Sequence, residues 1–215
     1  MTIRVFLVDD HALVRTGLRM ILSAETGIEV IGEAESGEEA LPMVRRLKPD
    51  VILCDLHLPG ISGLEVTERI VRSGLPGRVL IVSVLEDGPL PRRLLDVGAY
   101  GYVGKGGDAR ELLRAVRDVA NGKRCLGSSI AQNMALASVD GEGSPFDHLS
   151  TRELEVAMLL VQGLRQDTIA RRLSLSAKTV NTHKSRLFEK LGVQDNIALA
   201  RLATRYGLMD PGNSL

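Results

Sequence analysis

Three carboxylates, one hydroxyl and one lysine stand at the ends of short apolar runs in this chain. Asp9 and Asp10 follow Ile3–Val8, Asp55 follows a run that begins at Asp50, Ser83 closes the run from Arg78, and Lys105 comes just after Tyr100–Val103. Brought together, three carboxylates repel, and at neutral pH they are tolerable only with a cation among them. Oxygen ligands with vacancies for water suit Mg2+ or Mn2+. A carboxylate is also a nucleophile toward phosphorus and can form an aspartyl-phosphate. A metal, a lysine and a hydroxyl then neutralise the charge that develops. Singly, each residue has a plain structural role: Asp55 accepting loop amides, Asp10 capping a helix, Ser83 as a strand-end hydroxyl, Lys105 as a solvated loop charge. What favours chemistry is that all of them fall at the same kind of position.

Such convergence needs a sheet that brings those ends together. Ile3–Val8, Ile28–Ile31, Asp50–Leu53 with Asp55 at its end, Arg78–Val84 and Tyr100–Val103 read as strands. Helical spacing follows from Ala12 to Leu22. A capping box of Ser36 and Glu39 opens a helix to about Leu47. Further helices are predicted over Ser62–Ser73, with Leu64, Ile70 and Val71 facing inward, and over Gly88–Val97, entered through Pro89 and Pro91. Another covers Asp108–Ala120, with Asp108 as N-cap and Glu111 at N3. Five alternating strand–helix pairs predict an α/β unit, a flavodoxin-like (βα)5 fold with parallel sheet order 2-1-3-4-5. That order lines up the ends of strands 1, 3, 4 and 5.

The second half has a different charge and a different period. Residues 149–209 hold ten Lys/Arg against five Asp/Glu, whereas residues 1–148 hold 17 against 21. A basic segment on an acidic one points to nucleic acid for the former. Ser129–Ala137 has the makings of a short helix, and Ser138–Pro145 reads as a flexible linker. Ser150 and Glu153 form another capping box, with Leu149 as its staple. Helices then follow to Gly163, over Gln166–Leu173, over Ala177–Leu191 stopped by Gly192, and from Asp195 to Tyr206. The expected division is residues 1–121, a linker over 122–145 with a short helix, and a small all-α four-helix domain over 146–211.

Helix, short Ser174-Leu175-Ser176 turn, helix is the geometry that sets a second helix in the major groove. On Ala177–Leu191, Val180, Leu187 and Leu191 share one face and are expected in the core. Lys178, Asn181, Thr182, Ser185, Arg186 and Glu189 lie broadly opposite, with groups suited to base edges and phosphates. Lys178, Lys184, Arg186 and Lys190 are long cations able to reach the groove walls.

Cys54 and Cys125 fit no metal spacing. The first residues run directly into Asp9-Asp10, unlike a signal peptide, and Val79–Leu85 is too short to span a bilayer. A cytoplasmic protein without a membrane partner is expected.

Residues 3–120 resemble a response-regulator receiver domain of two-component signalling. The resemblance rests on Asp9-Asp10, Asp55 with the following Leu58-Pro59-Gly60 turn, Ser83, Tyr102 and Lys105. It implies that Asp55 accepts a phosphoryl group from a sensor histidine kinase. It further implies that Mg2+ is held by Asp10, Asp55 and the backbone carbonyl of His57, assisted by Asp9, and that Tyr102 is a switch aromatic. Ser83 and Lys105 would close on the phosphoryl group and let Tyr102 pack inward. Val84 stands where many receivers have a smaller residue, which would narrow access to Asp55. His57 and Leu85 occupy positions that tune phosphate lifetime.

Residues 149–208 resemble the LuxR-type helix-turn-helix through Leu149–Val156, Ile169-Ala170, Leu175-Ser176, Lys178–His183 and Lys190–Val193. Thr179 joins the expected DNA contacts through this motif. Arg165-Gln166 departs from the frequent Ser-Asn at the entry to the second helix. The whole is similar to the NarL/FixJ family and, in Thr179–Thr182 and Phe188–Leu191, to its GacA/UvrY branch. Together the resemblances imply promoter DNA with an inverted repeat, a homodimer when phosphorylated, and RNA polymerase as a further partner. They imply no enzyme beyond the receiver's own phosphoryl transfer and dephosphorylation.

Two other functions compete. A phosphatase of the haloacid-dehalogenase type would use the same Asp and Mg2+ but usually needs a second Asp two residues on, where this chain has His57. A receiver retained only for dimerisation would not need the full acidic set.

Overall fold

The runs of aliphatic residues become the inner strands of one parallel sheet. In the computed structural model, which describes residues 2–84, 86, 88–139, 144–173, 175–206 and 208, β1 is Ile3–Val8, β2 Ile28–Ala34, β3 Val51–Asp55, β4 Arg78–Ser83, β5 Gly101–Gly104 and β6 Cys125–Leu126. Their order is β2-β1-β3-β4-β5-β6, parallel at every pairing. All five residues of β3 are buried, as are Val5 through Val8. A strand covered on both faces has no polar side to show, so its sequence reads as a continuous apolar run.

The five helices around that sheet are α1 (Ala12–Ser23), α2 (Gly37–Leu47), α3 (Gly63–Arg72), α4 (Leu90–Val97) and α5 (Ala109–Ala120). Alternate strand residues Val5, Leu7, Val51, Leu53, Leu80 and Val82 join Leu22, Leu112, Val116 and Val119 in one core cluster. The period of two in the strands meets the helical stripe at 112, 116 and 119. Phe6, Ile52, Cys54 and Ile81 are equally buried and by alternation belong to the opposite face. Truncating Leu53 to Ala should cost about 2–5 kcal/mol, the usual range for a fully buried Leu.

Three expectations change here. The predicted 2-1-3-4-5 order gains a sixth strand, bonded Cys125 N–H to Tyr100 O at 2.9 Å and Gly127 N–H to Tyr102 O at 2.8 Å. Two residues are too few to show a period. Residues 122–145, read as a linker, therefore open with sheet structure before α6 (Ser128–Val139). Val71 is 49 % exposed rather than inward. Leu64, Thr67 and Ile70 take the buried face of α3, and Val71, one residue past Ile70, falls at the rim beside Gly98.

By its contacts one compact unit takes in residues up to 86 and 94–133, the other 87–93 and 134 onward. The helical unit contains α7 (Thr151–Val161), α8 (Gln166–Arg172), α9 (Ala177–Leu191) and α10 (Asn196–Arg205). Ser150 and Glu153 form the expected capping box, and Gly192 ends α9 at φ 65°. Pro145, expected in flexible chain, instead starts a 3-10 turn to His148, capped reciprocally by Ser144 and Asp147. That turn delivers Phe146, fully buried, edge-on to Tyr206 at 6.4 Å. Leu85, Ser174, residues 140–143 of the expected linker and the close of the last domain at 209–211 lie outside the described residues. Among the described residues no helix is long and apolar enough to cross a membrane.

Candidate functional site

Parallel pairing puts the carboxyl ends of four neighbouring strands side by side. Asp55 ends β3, Ser83 ends β4, Asp9 follows β1 and Lys105 follows β5. The register sets Val8 beside Cys54, Asp55 beside Val82, and Ser83 beside Gly104. Lys105 N–H also donates to the Ser83 carbonyl at 2.7 Å. The Lys105 ammonium thereby reaches back over the sheet. Its Nζ lies 2.7 Å from Asp9 Oδ2 and 3.0 Å from Asp55 Oδ2, and the lysine side chain is only 15 % exposed.

This arrangement answers a severe electrostatic demand. Asp9 and Asp55 are both buried, and a buried carboxylate is costly unless it is paired. Burial pushes the Lys105 ammonium down, but hydrogen bonds and charges from Asp9 and Asp55 outweigh it and hold the group above its ordinary value. The lysine is a fixed cation between two anions, not a solvated loop charge.

Asp10 does not take the plain role of helix cap. His11 is the N-cap of α1 and makes no side-chain cap bond, while Asp9 Oδ1 accepts from the His11 N–H at 2.8 Å. Asp9, Asp10, His11 and Asp55 each offer a ligand atom, all within 4.8 Å of one another. His11 Nδ1 stands 2.8 Å from Asp10 Oδ1. Three carboxylates of this kind fit a hard divalent cation. The imidazole is an addition that the sequence signals only by following Asp9-Asp10 directly. His57 lies in the bend after β3.

Two side chains beside the carboxylates are held neutral. Burial, with the charges of Asp55 and Asp9, pushes the Cys54 thiol up, which makes it an inert core group. Burial likewise pushes the Tyr102 phenol up, and its hydroxyl shares a hydrogen bond with Ser83. Tyr102 is fully buried. A large apolar ring with its hydroxyl satisfied is stable inside. Val84, expected to narrow the approach to Asp55, is 68 % exposed.

On α9, Val180 and Leu187 are fully buried, whereas Leu191, expected with them, is only partly so at the helix end. Lys178, Asn181, Thr182, Ser185 and Arg186 are exposed, and Thr179 and Lys184 are half-buried. Several carry local bonds. Thr179 Oγ1 is 2.8 Å from Ser176 Oγ at the cap, and the Thr182 hydroxyl donates to the Lys178 carbonyl. Lys184 Nζ lies over the Phe188 ring at 5.1 Å. Lys190 departs most from the expected phosphate contact: its Nζ is 2.7 Å from Glu153 Oε2 and also donates to the His148 carbonyl. Glu153 is buried, so Lys190 serves as its counter-charge. At the entry to α8, Arg165 occupies the N-cap without a side-chain bond.

Comparisons with known proteins match both halves. Residues 5–117 fit the response regulator receiver domain, and residues 147–203 fit the bacterial regulatory proteins of the luxR family. The chain is 47 % identical over 210 residues to the response regulator GacA of Pseudomonas viridiflava, covering 97 % of this chain and 98 % of that one. It is 43 % identical over 208 residues to the response regulator UvrY of Escherichia coli K12, covering 96 % and 95 %. Among solved structures it is similar to RcsB from Salmonella enterica serovar Typhimurium bound to promoter P1flhDC with the phosphomimetic BeF3-. That likeness has a TM-score of 0.73 and 26 % identity over 95 % of this chain and 100 % of that one.

Proposed function

This chain belongs to the two-component response regulators that carry a LuxR-type DNA-binding domain, and from that premise we propose that Asp55 is its phospho-acceptor and that phosphorylation controls its binding to promoter DNA. The observation that carries this reading is Lys105 Nζ within 3.0 Å of Asp55 and 2.7 Å of Asp9. The receiver spans residues 1–121, with β6 added at the edge of its sheet, and the DNA-binding domain 146–211.

An Asp55 carboxylate oxygen attacks the phosphorus of a phosphohistidine on a sensor kinase. The new O–P bond forms as the N–P bond breaks, and the kinase imidazole leaves. Asp10, Asp55 and the His57 carbonyl, with Asp9, would hold Mg2+, which supplies positive charge to the phosphoryl oxygens. The donor set is mostly hard oxygen, which fits that ion. Lys105 stays charged throughout and turns from the Asp55 carboxylate to the phosphoryl group. Ser83 exchanges its Tyr102 partner for a phosphoryl oxygen. The added group carries roughly −1.5 to −2 charge, by analogy with phosphorylated hydroxyl residues. The site conducts its own phosphoryl transfer and dephosphorylation only, and the chain works in the cytoplasm.

The phosphorylated form is a homodimer that engages an inverted repeat, with RNA polymerase as a further partner. The likeness to an RcsB structure bound to a promoter supports the DNA reading. Lys178, Thr179, Asn181, Thr182, Lys184, Ser185 and Arg186 make the DNA contacts.

Genome-wide occupancy of wild type against Asp55→Ala tests the whole reading. Loss of promoter peaks in the variant is expected; an unchanged map overturns it. Ser83→Ala and Lys105→Ala should each uncouple the modification from assembly. Sedimentation with and without BeF3- and Mg2+ should show a wild-type shift to dimer that both variants lose. A full shift in both would remove Ser83 and Lys105 from the coupling.

A further inference from the structure

The first turn of α6 is gripped by two carboxylates from different parts of the receiver. Glu111, on α5, accepts from both the Ser128 N–H and the Ser128 hydroxyl at 2.7 Å. Those bonds hold the Glu111 carboxyl below its ordinary range. Glu86, three residues past Ser83, accepts from the Ser129 hydroxyl at 2.5 Å, and its backbone carbonyl takes the Asn133 amide at 3.5 Å. Ile130, fully buried, anchors the same turn. Negative charge beside a helix N-terminus is favourable, since its first N–H groups lack helical partners.

The two grips differ in what they can report. Glu111 sits six residues past Lys105, in the first turn of α5. Glu86 sits on the segment that leaves Ser83, whose hydroxyl bonds Tyr102. Its carboxylate lies directly over Gly104, where an added Cβ would come within 1.8 Å of Glu86 Oε1. Gly104 immediately precedes Lys105. The Glu86 side chain thus lies against the end of β5, one residue before Lys105, while Glu86 itself stands three residues past Ser83; Ser83 and Lys105 are the side chains that would turn toward a phosphoryl group.

We propose that Glu86 is a latch: its hold on Ser129 and Asn133 fixes the start of α6 in the unphosphorylated chain, and phosphorylation of Asp55 opens it. The opening half rests on Asp55 being the phospho-acceptor; the holding half does not. When Ser83 and Lys105 turn to the phosphoryl oxygens, the segment after Ser83 follows and draws Glu86 away from Ser129. Glu111 and Ile130 keep α6 attached, so its first turn loosens rather than leaving. The chain beyond α6 leads to the DNA-binding domain, and the latch is therefore a positioning device between site and output.

Amide hydrogen exchange on the full chain, with and without BeF3- and Mg2+, tests this. In wild type the phosphomimetic should protect the loop after Asp55 and speed exchange across residues 128–133. Glu86→Ala and Ser129→Ala should each speed that exchange without BeF3-, on the order of tenfold, the scale of losing a hydrogen bond to a charged group. Combining them should add little, because they share one bond. Gly104→Ala keeps every hydrogen-bonding group but displaces the Glu86 carboxylate, and should do the same. Its backbone is not in the left-handed region, so Ala fits the chain there. If BeF3- protects the Asp55 loop and leaves 128–133 unchanged, the opening is wrong; if the three variants leave 128–133 at wild-type rates, the hold is wrong. If BeF3- alters no part of the receiver, the phospho-acceptor reading itself fails.

Discussion

Asp55→Asn should fold normally and take up no phosphoryl group. The amide keeps the shape of the side chain but has no anionic oxygen with which to attack phosphorus. Stability should change little because two effects oppose each other. Lys105 loses one of its two carboxylate partners, but it keeps Asp9 at 2.7 Å. The crowding of Asp9, Asp10 and Asp55, whose ligand atoms lie within 4.8 Å, is relieved at the same time. The net should stay within about 1 kcal/mol, a few degrees in melting temperature. Incubation with acetyl phosphate and Mg2+, followed by mapping of the hydroxylamine-labile adduct, should label wild type and leave the variant blank. Millimolar Mg2+ should raise the wild-type melting temperature, since a ligand that binds only the folded state stabilises it. The variant should lose most of that rise. Undiminished labelling of Asp55→Asn would move the acceptor elsewhere.

Legibility followed the length of each signal. β1 and β3 were readable because a doubly covered strand is apolar through its inner positions, as Val5–Val8 and Val51–Cys54 are. The caps at Ser36, Asp108 and Ser150 were readable because each places a short polar side chain just before a helical stripe. The strand ends followed from the order of alternating elements, and with them the meeting of Asp9, Asp55, Ser83 and Lys105. β6 was not readable, since Cys125-Leu126 owes its strand to the free edge of β5 and not to any pattern of its own. The turn that buries Phe146 was hidden because it starts in the Gly, Ser and Pro of the expected linker, which ended at Pro145, although Ser144 and Asp147 are spaced as a capping box. The role of Lys190 was hidden for a different reason. Its partner Glu153 was read as a cap residue, and a cap residue is normally exposed. Only the fold shows that Glu153 is buried and must find a cation. Glu86 has no local signal at all, because its partners are 43 and 47 residues away.

Lys190 and the other cations of α9 should separate cleanly in experiment. Lys178 and Arg186 are exposed, and long exposed cations flanking a recognition helix neutralise phosphates. Replacing either with Ala should weaken binding to every sequence alike and lower the salt slope by about one unit. Asn181→Ala should instead change which base is preferred, at about 1–3 kcal/mol for a lost good contact. Lys190→Met should barely move the salt slope, but should destabilise the DNA-binding domain. Removing one partner of a fully buried pair costs about 3–5 kcal/mol. Lys190 is 41 % exposed, so solvent screening lowers the expected cost to about 1–3 kcal/mol. The loss should also depend on pH. Burial alone would push the Glu153 carboxyl up, but hydrogen bonds from Lys190 and Ser150 outweigh it and hold the group below its usual range. A carboxyl lowered in the folded state adds stability above its unfolded value, near ~4.3, and that stability fades as pH falls through the folded value. Lys190→Met should therefore lose most at neutral pH and converge on wild type in acid. Urea titrations at several pH values, run beside binding selections on randomised DNA across salt concentrations, measure both effects. A normal urea midpoint with a salt slope lowered by one would return Lys190 to the phosphate contacts.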